Sequence, residues 1–126
     1  MSTLMYVDAE YVSSAAFYWG SSHGLTRAKV DYRSLIEQFT PTLARAYVAP
    51  PSPDKFIAFT KFLGKCGFAV QRLAPENKSA AITSQMSIDA NADYLGMKPD
   101  RVVIVSGNGS LAPLCRVLHE HCELIL

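Results

Sequence analysis

Five short runs of apolar and β-branched residues recur along the chain: LMYVDA (4–9), ARAYVA (44–49), FAVQRLA (68–74), RVVIVSG (101–107) and CELIL (122–126). Runs without strong polar alternation read as strands covered on both faces, as in a parallel sheet. Helical patterns separate them: VSSAAFYW (12–19), DYRSLIEQF (31–39), PDKFIAFTKFLGKCG (53–67), AITSQMSIDANADYL (81–95) and LAPLCRVLHEH (111–121). Asp31 fits an N-cap, Gly64 and Gly67 end the third helix, and Gly96 with Pro99 stops the fourth. The fourth helix has two neighbouring seams, one of Ala81, Gln85, Ile88, Ala92 and Leu95, the other of Ile82, Met86, Asp89 and Asp93. Strands alternating with helices predict an α/β fold with helices on both faces of the sheet and right-handed crossovers.

Such sheets gather ligands outside the carboxyl ends of their strands, where the strand order reverses. That rule selects residues 8–11, 49–53, 74–78 and 106–110. The last of these, in VIVSGNGSLAPL (103–114), is an active-site position in an α/β protein, yet the twelve residues contain no carboxylate, histidine, lysine or cysteine. The turn lacks the G-x-S-x-G order of a nucleophile elbow and the G-K-[ST] ending of a phosphate-binding loop.

A chain of 126 residues suits one domain, and 49% hydrophobic with 18% charged residues excludes a disordered polymer. A net charge of +1 gives no global pull toward nucleic acid or acidic membranes, although a local basic patch would not show in the sum. No run approaches the roughly 20 apolar residues of a membrane span, and the start MSTLMYVDAE has no secretory pattern, so a cytoplasmic protein without a membrane role is expected. Cys66, Cys115 and Cys122 lack a C-x-x-C spacing and read as free thiols. Cys115, His119, His121 and Cys122 resemble a zinc set in type, but a helix-to-strand change among them scatters the side chains.

The combination of VDAEY (7–11), RAYVA (45–49), GFAVQRLAP (67–75), SIDANADYL (87–95) and DRVVIVSGNGSLAPL (100–114) resembles the NYN domain, the LabA-like branch of the PIN-like metal-dependent ribonucleases. The similarity spans nearly the whole chain in the same order. It implies a three-layer α/β/α, Rossmann-like domain with a five-stranded parallel sheet ordered 3-2-1-4-5, and carboxylates at the strand ends that hold Mg²⁺ or Mn²⁺. Hard divalent ions need several oxygen ligands in near-octahedral geometry.

Set against that pattern, Asp8 keeps the first acid, whereas Ala9 and Tyr11 stand for the glycine and asparagine that follow it. The second acid, at the start of the fourth helix, falls on Thr83 or, in another alignment, Ala81. In the S-G-D turn both acids are replaced, by Asn108 and Ser110, while Ser106, Gly107 and Pro113 remain. The resemblance therefore implies a catalytically degenerate domain that binds RNA or a protein partner through the former active-site face, namely Tyr11, Thr83, Ser106, Asn108 and Ser110, with Arg27 and Lys29 from the loop SSHGLTRAK (21–29). The residual catalytic acids would be Asp8 and Asp89, and no metal or other cofactor is expected.

Two alternatives stay open. An active Mg²⁺- or Mn²⁺-dependent ribonuclease would need acids relocated to Asp8, Asp89 and Asp93, with Glu10 two residues beyond Asp8. An assembly protein would carry a vestigial pocket, and CELIL at a sheet edge would suit a homo-oligomer. The aromatics FYW (17–19), with Tyr6, Tyr11 and Tyr47, supply either core packing or stacking surfaces for bases, with Arg33 near them in sequence.

Overall fold

The structure, a computed structural model, describes residues 2–24, 30–49, 53–74 and 76–125, and only the backbone of residues 53–56. Five strands form one parallel sheet: β1 (Thr3–Asp8), β2 (Leu43–Val48), β3 (Ala69–Arg72), β4 (Arg101–Val105) and β5 (Glu123–Ile125). Their order is β3-β2-β1-β4-β5. Helices α1 (Ala9–Ser22), α2 (Tyr32–Phe39) and α3 (Pro53–Cys66) lie in the first half of the chain, and α4 (Lys78–Met97) and α5 (Ala112–His121) in the second. A single 3₁₀ turn, Gly109–Leu111, precedes α5.

Side-chain alternation along the strands separates two cores. Leu4 and Tyr6 of β1 pack with Ile82, Met86 and Ala90 of α4 and with Leu114 and Leu118 of α5. Met5 and Val7 point the other way, onto Tyr32 of α2 and Leu63 and Cys66 of α3. The sheet is therefore the middle of three layers, with β1, buried along its whole length, at its centre. β1 pairs β2 on one side and β4 on the other, which puts the reversal of strand order between β1 and β4.

The element boundaries moved where local chemistry intervened. β1 stops at Asp8, because its carboxylate accepts the Tyr11 backbone N–H at 2.9 Å and starts α1 at Ala9. α3 ends at Gly67, whose φ of 115° suits glycine alone. The Gly67 and Phe68 N–H groups there bond back to Gly64 and Leu63. α4 begins at Lys78 and runs through Gly96, and Lys98, with φ of 45°, closes it by donating its N–H to Tyr94. Of its two seams, the one with Ile82 and Met86 faces the sheet, whereas Ile88 and Leu95 are exposed. No helix of the described residues is long and apolar enough to cross a membrane.

The sheet-facing seam of α4 also carries two acids, and the sheet answers each. The Tyr6 hydroxyl donates to Asp93 and the Tyr47 hydroxyl to Asp89, both at 2.8 Å. Arg45, opposite Tyr6 in the β1–β2 register, clamps Asp93 through Nε at 2.7 Å and Nη2 at 2.9 Å. Burial and the neighbouring carboxylates push both tyrosines well above their ordinary range. The Arg45 guanidinium holds Asp93 below the ordinary carboxylate value of 3.8.

Replacing Asp93 by alanine would leave Arg45 and the Tyr6 hydroxyl without their acceptor, an expected loss of about 2–4 kcal/mol in denaturant unfolding. Because the folded value of Asp93 is depressed, its contribution is complete above pH 3.8 and fades as the pH falls through the folded value. Asp93→Asn, followed against pH, should lack that acid-dependent component.

Candidate functional site

At the carboxyl end of β1, Asp8 sits on the α4 side of the sheet and is almost fully buried. Burial pushes its carboxyl above 3.8, the Tyr11 N–H works against that shift, and the Glu10 charge adds to it. Glu10 itself is engaged: one oxygen accepts the Ala49 N–H beyond the end of β2 at 2.8 Å, and the other lies 3.6 Å from Lys78 Nζ. Lys78 and Ser79 come from the first turn of α4. With Asp8, Tyr11, Ser14 and Ile82 they enclose a cleft of about 190 Å³.

The turn after β4 closes one side of this site. The Ser106 hydroxyl favours the ionised form of Asp8 and accepts the Asn108 N–H at 3.2 Å. Asn108 is committed at both ends of its amide. Its Nδ2 donates to Ser79 Oγ at 2.7 Å and to Thr83 Oγ1 at 3.2 Å, and its Oδ1 accepts the Ser110 N–H at 3.0 Å. The turn also fits Tyr11: a Cβ on Gly107 would overlap the Tyr11 hydroxyl and the adjoining ring edge. Glycine at 107 lets Tyr11 lie against the turn, and a larger residue would have to displace the tip of that half-exposed side chain.

The structure brings Asp8, Tyr11, Thr83, Ser106 and Asn108 together, with Ser110 beside them on the exposed 3₁₀ turn. Arg27 and Lys29 lie outside the described residues. Asp89 is not at the cleft. It lies seven residues past Ile82 on α4, about 10 Å along the axis, and is held by Tyr47 and by Gln85 Nε2 at 3.0 Å. Asp93 is a further turn away, on Arg45 and Tyr6. The three acids of the relocated set are therefore held apart. The sequence reaches Lys78 as the end of the strand-end span 74–78 but gives it no role, and it leaves out Ser79, although a cation and a hydroxyl at the start of a long helix, opposite a strand-end acid, are a readable signal.

A divalent cation fits these residues poorly. Asp8 is a single carboxylate whose ionised form is disfavoured by burial, Glu10 is tied to Ala49 and Lys78, and the Asn108 amide has both ends occupied. Among the described residues no three His, Cys, Asp or Glu side chains converge as a metal set.

The NYN domain family model matches residues 2–126, and the strand order is the one that family's fold requires. The chain belongs to the NYN domain family. It is a PIN-like, nuclease-type domain of an RNA-related family. A crystal structure of a protein of unknown function from Vibrio parahaemolyticus superposes with a TM-score of 0.74 at 22% identity, over 98% of this chain and 78% of that one, a likeness of fold. No curated protein matches the sequence. In this NYN domain, the strand-end pocket holds a neutral hydrogen-bonded amide between Ser79, Thr83 and Ser110.

Two measurements check this geometry. Gly107→Ala should displace the Tyr11 side chain at a cost of about 1 kcal/mol or less, since the overlapping atoms are the tip of a half-exposed ring. Pairing it with Tyr11→Ala should return part of that loss, a coupling that a double-mutant cycle reads directly. Asp8→Asn keeps an N-cap acceptor and removes a buried charge, so it should melt higher than wild type at neutral pH. Because the folded value of Asp8 is raised, that advantage is present above the folded value, shrinks as the pH falls through it, and is gone below 3.8.

Proposed function

We propose that this NYN domain binds single-stranded RNA at the carboxyl ends of its strands and does not cleave it. The observation that carries the reading is the Asn108 amide, spent on Ser79, Thr83 and Ser110 at the position where the family resemblance calls for metal-binding acid. A metal-assisted hydrolysis needs several convergent anionic oxygens, and here the polar groups satisfy one another.

Binding of RNA draws on three further features. Tyr11 stands at the cleft with 46% of its surface exposed, a face on which an unpaired base can stack. Lys78 lines the cleft, and the exposed Arg116 lines a second hollow of about 390 Å³ on the far side of the Ser106–Gly109 turn. Cations on both sides of one turn suit a phosphate backbone that crosses it.

A protein partner is the second reading, and it belongs to a different face. Phe17, Tyr18 and Trp19 on α1 are each more than half exposed, and Phe17 with Phe59 and Phe62 borders an apolar groove of about 700 Å³. Contiguous exposed apolar surface of this kind marks interaction sites.

Calorimetric titration of Mn²⁺ into the purified protein, with the same samples assayed on single-stranded RNA, tests the first reading. The expected result is RNA binding that weakens with salt and is reduced in Lys78→Ala/Arg116→Ala, without tight Mn²⁺ binding or cleavage. Tight Mn²⁺ binding and cleavage that both vanish in Asp8→Ala would establish a nuclease instead.

A further inference from the structure

We propose that the cleft beside Asp8 receives one unstacked base of the bound RNA and selects guanine; this inference rests on the RNA-binding reading above. Size sets the first limit. The cleft measures about 190 Å³, and a cavity of about 150 Å³ takes a benzene ring. One nucleobase has room there, and a stacked pair does not.

The polar lining sets the second limit. Asp8 and Glu10 are acceptors alone when ionised, Ser14 and Ser79 add hydroxyls, and Lys78 is the one cation on the wall among the described residues. A phosphate driven into this cleft would meet Asp8 beside a Glu10 whose charge Lys78 already balances, so the remaining carboxylate opposes it. A base edge rich in N–H donors would find Asp8 as an acceptor. Asp8 has capacity left, since the Tyr11 N–H, at 2.9 Å, takes one of its roughly four lone-pair directions.

Among the four bases, guanine alone presents two N–H donors side by side, at N1 and the exocyclic N2, with the spacing a carboxylate accepts in bidentate fashion. Adenine and cytosine each set their amine beside an acceptor nitrogen, and uracil has a lone N–H between two carbonyls. RNA-binding sites of this type read splayed bases on their Watson–Crick edge and stack them on aromatic rings. Here Tyr11, packed against Gly107, supplies the ring, and Ile82 supplies an apolar wall. Lys78, paired with Glu10 at 3.6 Å and half exposed, is then placed to reach the adjoining phosphate at the cleft rim.

Fluorescence anisotropy with short oligouridines, each carrying one central guanosine, inosine, adenosine or cytidine, tests the selection at neutral pH. The guanosine oligonucleotide should bind about tenfold tighter than the adenosine one, with inosine, which lacks the N2 amine, between them. Asp8→Asn, shown by its circular dichroism melt to be folded, should bring the guanosine-to-adenosine ratio close to unity. Equal affinities for all four in the wild type would overturn the base pocket and leave RNA binding standing, as would a preference that survives in Asp8→Asn. Binding to none of the oligonucleotides would overturn both readings together.

Discussion

Helix α4 is seated on the sheet by two carboxylates, Asp89 and Asp93, each bonded to the hydroxyl of a fully buried tyrosine, and the position of the cleft follows from that seating. A rigid helix transmits its register over its whole length. With Asp89 on Tyr47 and Asp93 on Tyr6 and Arg45, its first turn is set beside the end of β1, where Lys78 and Ser79 face Asp8. Charges at a sheet-facing seam would ordinarily oppose burial. Here each carboxylate has a donor of its own, and Arg45 adds a bidentate clamp, so the polar pairs fix where α4 sits while Ile82, Met86 and Ala90 supply the apolar contact.

The same arrangement keeps the two acids of α4 away from the cleft. A carboxylate can serve the core or the cleft, and on this helix the distance between the two is about 10 Å. Asp89 and Asp93 serve the core. What remains at the cleft is Asp8, which caps α1, and Glu10, which ties β2 to Lys78. Both acids thus have structural duties, and the turn after β4 is a neutral mesh of hydroxyls and one amide. This NYN domain thus presents hydrogen-bond acceptors and an aromatic ring at the carboxyl ends of its strands.

Much of this was written in the sequence, because it depends on local pattern. Five unbroken apolar runs alternating with helical periods determined the α/β class and the parallel sheet, and the ordered motifs from Asp8 to Ser110 determined the family. That the turn after β4 is without charged groups from Ser106 to Ser110 was equally legible, since it is a statement about residue type. The tertiary structure decided which side chains share a partner. Which seam of α4 turns inward, whether Asp89 and Asp93 reach the cleft or the tyrosines, that Tyr11 lies over Gly107, and that Glu10 bonds Ala49 across 39 positions are contacts between distant segments. Periodicity along a chain ranks faces of a helix but cannot choose between two seams that are both half apolar; that choice is made by the strands on which the helix comes to rest.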